Sequence, residues 1–276
     1  MTLWGAVIYG AIQGIAEFLP ISSSGHLALA QNFGFFGTSG EGNDIRFNVV
    51  LHFGTLAAVF IVYRKDVYLL IKSFLSLLKR VFSGDRSKLD EGEITLIYLC
   101  FASMLLVPAA LLSDKIEWIS KSSMAIGIFL IINGVILWLS EKLSNGKASP
   151  ENTKPINVFC IGAFQLLGVL PGISRSGSTI TGGLLNGFDR QNAVRFSFLL
   201  SVPAILGAGI MELKGIENNV GAEEIYTYIV GAVSAAAVGI ASIKALQYLA
   251  KEKSFLPFTF YSVGVGCAAI LYDVIK

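Results

Sequence analysis

Long apolar runs, broken in a few places by polar clusters, dominate this chain. Six stretches are apolar over a length that can cross about 30 Å of hydrocarbon: residues 45–63, 94–112, 123–140, 192–212, 223–245 and 255–274. Two more, 3–19 and 156–170, stop at a Leu-Pro pair and a Ser/Gly cluster, and only short apolar runs follow at 27–36 and 179–188. No part of either broken stretch can span alone. Each predicts a helix, a polar turn at membrane depth and a half-helix returning to its own side. Such a turn is tolerated only where protein or an aqueous cavity surrounds it. Residues 66–82 mix Lys72, Lys79 and Arg80 with many apolar positions, which predicts an amphipathic helix lying in the interface rather than a seventh span.

The two breaks are near copies. Gly10-Ala-Ile-Gln13, Leu19-Pro20 and Ser22-Ser23-Ser24-Gly25-His26 reappear as Gly162-Ala-Phe-Gln165, Leu170-Pro171 and Ser174-Arg175-Ser176-Gly177. Arg46-Phe-Asn-Val-Val-Leu continues the match as Arg195-Phe-Ser-Phe-Leu-Leu. The chain therefore reads as one membrane domain, 1–276, built from two repeats, 1–141 and 156–276. Each holds one re-entrant hairpin (3–36 or 156–188) and three spans. Three is odd, so the copies lie upside down relative to each other and their tips meet near the midplane. The predicted fold is an all-α polytopic membrane protein with an inverted-topology repeat, six transmembrane helices and two re-entrant helical hairpins. Broken helices in such repeats usually mark a binding site.

Composition agrees with a membrane location. Of 276 residues 54% are hydrophobic and 14% charged, and mean hydropathy is +0.67, well short of the roughly 25% charged residues of a soluble domain. A net charge of +2 gives no ground for nucleic-acid binding. The first basic residue is Arg46, so the N-terminal apolar stretch is not expected to be a cleavable signal. Cys100, Cys160 and Cys267 are odd in number, lack metal-site spacing and are expected to be buried packing residues. Most basic residues, among them Arg64, Lys65, Lys142, Arg190, Lys251 and Lys253, fall on one side of the predicted spans. Lys115, Lys121, Lys214 and Lys276 fall on the other. That asymmetry makes the first side cytoplasmic and places both termini outside.

Glu17 is the carboxylate placed at membrane depth, whereas Asp44, Glu93, Glu212 and Asp273 lie near segment ends. An ionisable group there is a functional candidate by default. Gln13 shares its helix face. Ser22, Ser23 and Ser24 from one tip, and Ser174, Ser176 and Thr179 from the other, bring hydroxyls and free N–H groups to helix starts, which suits an anion. Arg175 adds a planar fork matched to phosphate. His26 is a candidate proton carrier; His52, inside a span, reads as a packed, hydrogen-bonded residue. Glu17 together with substrate phosphates suits a divalent ion. A serine or water could attack phosphorus with Glu17 as base or metal ligand, and the same geometry could bind and move an anion. Alternatively, Glu17 and Arg175 simply hold the hairpins together.

Glu17-Phe-Leu-Pro-Ile-Ser-Ser-Ser-Gly-His26 and Pro171-Gly-Ile-Ser-Arg-Ser-Gly-Ser-Thr179, with Phe196-Ser-Phe-Leu-Leu-Ser-Val-Pro203, closely resemble the signatures of the bacterial undecaprenyl-diphosphate phosphatase family of the BacA/UppP type. The resemblance implies a hydrolase of the bacterial plasma (inner) membrane that removes the terminal phosphate of undecaprenyl diphosphate. It would recycle the lipid carrier for peptidoglycan synthesis, and overproduction would give bacitracin resistance. It also implies a divalent cation, Mg²⁺ or Ca²⁺, as cofactor. Glu17 maps to the family's essential glutamate, Ser23 to its candidate nucleophile and Arg175 to its phosphate-binding arginine, with Ser22, His26, Ser174, Ser176 and Thr179 at supporting positions. The first position of the family's Glu/Gln-x-x-x-Glu element is Gln13, which cannot act as a base. Expected partners are the polyprenyl diphosphate lipid and the bilayer, with a second copy of the chain as candidate homodimer partner. The alternative is an inverted-repeat secondary transporter or lipid flippase for an anionic, phosphate-bearing substrate.

Overall fold

The computed structural model describes residues 2–34, 45–143, 146–213, 222–252 and 254–275; Asp44, Lys214, Lys253, Lys276 and residues 35–36 lie outside these. Among the described residues there are twelve α-helices and no strand. They are α1 Leu3–Phe18, α2 Ser23–Asn32, α3 Ile45–Val62, α4 Arg64–Ser83, α5 Glu91–Met104, α6 Ser113–Ser120 and α7 Ser123–Leu143. After a break follow α8 Pro155–Leu167, α9 Arg175–Leu185, α10 Arg190–Leu213, α11 Ala222–Glu252 and α12 Leu256–Ile275.

Local chemistry sets the two breaks. The Thr2 hydroxyl caps α1 by accepting from Gly5 N–H at 3.1 Å. The helix stops because Leu19 precedes Pro20, which pushes Leu19 into extended backbone (φ -71, ψ 146). α2 restarts at once behind Ser22, and α9 restarts behind Ser174, so both serine clusters form the first turns of the returning helices. At 1.5 Å per residue α1 reaches about 24 Å and α8 about 20 Å, too short to cross a bilayer.

The long helices follow the predicted spans with two departures. Five candidate spans stand alone: Glu91–Ala109, Ser123–Lys142, Arg190–Ile210, Glu224–Lys251 and Leu256–Ile275. α3 makes a sixth only when joined to α4, which turns away from it by 90°. The segment expected as one span over 94–112 has its α-helix end at Met104 and continues as a 3₁₀ turn, Val107–Leu112. Pro108 accounts for the break, since it donates no N–H and bars Val107 from the α region. α4 buries only Ser73 and leaves Tyr68, Ile71, Phe74, Leu75 and Phe82 exposed. An apolar face on a helix perpendicular to its neighbour fits the interfacial reading.

Contacts at the helix ends show how the hairpins enter. Near the start of α7, Asn32 at the end of α2 donates to the Ser120 carbonyl (3.1 Å), and Asp273 of α12 accepts from Met124 N–H at 3.2 Å. Near the end of α7, Glu141 pairs with Arg190 and accepts from Phe255 N–H, while Asn157 at the base of the second hairpin donates to the Asn186 carbonyl. The hairpins α1–α2 and α8–α9 thus open from opposite ends of α7. The core lies between them, where Phe18 meets Phe198 edge-on at 5.4 Å among Ala58, Ile180, Leu199 and Ile243.

One expectation is overturned. The three cysteines are free thiols, but Cys100 and Cys267 are exposed and Cys160 is half-buried. Cys100 and Cys267 lie on outward faces of apolar helices, the faces such helices turn toward hydrocarbon. Hydrocarbon and protein interior are equally apolar, so hydropathy alone does not separate the two.

Candidate active site at the hairpin tips

The tips meet at backbone distance. A Cβ on Gly25 would lie 2.9 Å from the Gly172 backbone, and one on Gly172 would lie 2.6 Å from the Ile126 carbonyl oxygen. Gly172 also has φ 104, a left-handed conformation that favours glycine. Ser22 itself adopts φ 75, and its Oγ accepts from both Gly25 N–H (3.3 Å) and Gly172 N–H (3.1 Å). Asn133 of α7 is a third fastener. Its Nδ2 donates to the Pro20 carbonyl at 2.9 Å and to Ser262 Oγ at 3.2 Å, and its Oδ1 accepts from Ser174 N–H at 3.0 Å. Its only sequence signal was a polar residue in the middle of an apolar span.

The ionic groups converge across this junction. Arg175 Nη2 donates to Glu17 Oε1 at 2.8 Å, and Ser23 Oγ donates to Glu17 Oε2 at 2.8 Å. Gln13 Nε2 donates to the same Oε2 at 3.1 Å and to His52 Nδ1 at 3.0 Å, which assigns the imidazole proton to Nε2. His52 stands 3.8 Å from the Glu17 carboxylate. Glu17, Ser23, Ser24, His52, Gln165 and Arg175 all line one cavity of about 260 Å³. Its other walls are largely apolar, with Val49, Phe53, Leu106, Ala204, Ile205 and Ala208 contributed by α3, the stretch after α5, and α10. A cluster of hydroxyl, carboxylate and guanidinium at one end of an apolar pocket suits a phosphorylated lipid.

The remaining predicted site residues sit around this cluster, outside the lining. Ser174 Oγ caps α9 by accepting from Gly177 N–H and lies 3.0 Å from Ser176 Oγ. Ser176 donates across the junction to the Leu19 carbonyl, and Thr179 Oγ1 is 2.6 Å from Ser197 Oγ. These three are buried and lock α9 against its neighbours. His26 stacks on Tyr261; its Nδ1 donates to the Ser22 carbonyl at 2.8 Å, leaving Nε2 to accept from the Tyr261 hydroxyl at 2.9 Å. His26 is thus anchored beside the tip, outside the cavity lining, while His52 is hydrogen-bonded as expected and also faces the cavity.

Comparison with known proteins decides the family. The family described as bacitracin resistance protein BacA matches residues 6–268. The chain belongs to the BacA family. Its relatives include a protein named undecaprenyl-diphosphatase from Alkaliphilus metalliredigens, 34% identical over 280 residues and covering 100% of both chains. Proteins of the same name from Methanosphaera stadtmanae (35% identical, covering 100% of this chain and 99% of the relative) and Treponema denticola (38% identical, 99% and 98%) match equally broadly. The BacA match contains every residue of the cavity lining and of the ionic cluster.

Proposed function

We infer that this chain is an integral-membrane phosphatase that hydrolyses undecaprenyl diphosphate to undecaprenyl phosphate and inorganic phosphate. The observation that carries the chemistry is Glu17, bonded at 2.8 Å to Ser23 from its own hairpin and at 2.8 Å to Arg175 from the other, on one cavity wall. The reaction returns the lipid carrier to peptidoglycan synthesis, and the family description ties it to bacitracin resistance. Relatives named as diphosphatases over their whole length favour hydrolysis over transport.

The terminal phosphoryl group sits between Ser23 and Arg175, with the prenyl chain along the apolar wall. Ser23 Oγ gives its proton to Glu17 and bonds to phosphorus. The bond to the bridging oxygen breaks, and its electron pair leaves with undecaprenyl phosphate. Water then attacks the phosphoseryl phosphorus, Glu17 relays its proton to the departing Ser23 Oγ, and phosphate is freed. Arg175 stabilises the charge on the phosphoryl oxygens throughout. Direct attack by water, with Glu17 as base, gives the same products; the short Ser23–Glu17 bond favours the serine route.

A divalent cation, Mg²⁺ or Ca²⁺, fits the donors present. Among the described residues no group of three or more His, Cys, Asp or Glu forms a cage. Yet Gln13 Oε1 is buried without a partner, four residues from Glu17 and on the same helix. Glu17, Gln13 Oε1 and Ser23 supply hard oxygen ligands that substrate phosphates would complete. When bound, the ion would neutralise phosphate charge.

We place the chain in the inner membrane with the basic helix ends in the cytoplasm, both termini outside, and the halves 1–141 and 156–276 as inverted copies. The opposite entry of the two hairpins along α7 supports this reading. The test of function is phosphate release by purified protein from a polyprenyl diphosphate, with and without chelator. Glu17→Ala and Arg175→Ala should abolish release; wild-type release no greater than that of Arg175→Ala would refute it.

A further inference from the structure

Gln165 occupies in the second hairpin the place that Gln13 holds in the first, yet the fold treats the two differently. Gln13 donates to Glu17 and His52. Four residues beyond Gln165 comes Val169, preceded by Gly168, and neither side chain can accept a hydrogen bond. Gln165 is 0% exposed and lines the cavity that holds Glu17, Ser23 and Arg175. Neither its Nε2 nor its Oε1 has a partner among the described residues. Buried amides are almost always paired, because an unpaired one loses its bonds to water and gains nothing. A wholly unpaired amide on the wall of a polar-ended cavity is an unused recognition group.

We propose that Gln165 is a substrate-binding residue whose Nε2–H donates to a non-bridging oxygen of the terminal phosphoryl group. Its Oε1 accepts from a water or P–OH beside that group. The proposal rests on the phosphatase reading and adds to it a neutral donor on the second hairpin. A diphosphate offers several charged acceptor oxygens, and a donor facing one of them in a largely apolar pocket makes a charge-assisted bond. Arg175 supplies charge; Gln165 supplies direction without adding to it.

The test compares Gln165→Leu and Gln165→Met, close in volume and without polar atoms, with the full-length protein in detergent. A residue that serves the ligand rather than the fold can be replaced by an apolar one at no cost in stability. Both variants should therefore unfold at or above the wild-type temperature, with kcat/KM for a polyprenyl diphosphate lower by about 10- to 100-fold and the loss mainly in KM. Inorganic pyrophosphate, added alone, should raise the unfolding temperature of wild type more than that of either variant. Wild-type kcat/KM in both variants would overturn the proposal, as would a fall of several degrees in unfolding temperature in both, which would make the amide a structural group. Wild type and Arg175→Ala in the same assay keep the two claims apart. If wild type releases no phosphate, the phosphatase reading fails, and the pyrophosphate shift still decides whether Gln165 holds a phosphate oxygen.

Discussion

Replacing Glu17 by Gln and Arg175 by Met, singly and together, probes the ion pair that joins the two hairpins. Glu17 Oε1 and Arg175 Nη2 are 2.8 Å apart, with side chains only 6% and 15% exposed. At that separation and an effective dielectric of about 20, the Coulomb attraction is about 6 kcal/mol before desolvation. Much of it offsets the cost of removing both charges from water, so the pair adds little net stability. Removing one partner is different, because the other is left buried without a counter-charge, at a cost of about 3–5 kcal/mol. Each single variant should therefore lose about 3 kcal/mol or more, and the double variant should lose no more than either single one. The coupling is then about 3 kcal/mol, within the range measured for close charge pairs. Equilibrium unfolding in mixed micelles, followed by fluorescence of Trp4, Trp118 and Trp138, measures it. Phosphate release should vanish in all three variants, so a stable but inactive double variant separates fold from chemistry. Additivity of the two single effects within about 0.5 kcal/mol would refute the reasoning, since the charges would then not meet in the folded protein.

Ser23→Ala should lower kcat for phosphate release by at least about 100-fold; equal turnover by Ser23→Ala would move the nucleophile to water. Gly25→Ala, which sets a methyl 2.9 Å from the Gly172 backbone, should cost about 1–3 kcal/mol and most of the activity. Gly264→Ala, with nothing within 4 Å, should be neutral or stabilising in the same melt. Asn133→Ala strands the Pro20 carbonyl and Ser174 N–H in a buried junction and should destabilise by about 2–4 kcal/mol, read by the shift of the unfolding midpoint. Single cysteines at Lys142 and Trp118, in a chain whose three native cysteines are serine, should react with a membrane-impermeant thiol reagent from opposite faces of sealed vesicles; labelling from one face would overturn the inverted reading.

The hairpins were legible because their interruptions are chemically loud: Leu-Pro stops a helix and a Ser/Gly cluster restarts one. The repeat then pointed to Glu17, Ser23 and Arg175, and the cavity brings those three together. What stayed hidden was the rotation of each short helix about its axis. Ser174, Ser176 and Thr179 share a motif with Arg175, but packing against Leu19, Ser197 and Asn133 turns them inward. His52 looked like one more polar residue in a span, since its link to Gln13 crosses 39 positions of sequence. Gln165 was visible only as a repeated letter, because an unpaired amide is a property of its surroundings. The cysteines were misjudged for the opposite reason: their surroundings, lipid or protein, are alike to a hydropathy scale.

The joint between Ser22 and Gly172 has a genetic consequence. Glu17 and Ser23 belong to the first half of the chain and Arg175 to the second, so neither half carries the complete proposed catalytic set. On that proposal the two tips are complementary parts of one reading frame, and a lesion in either should silence the whole.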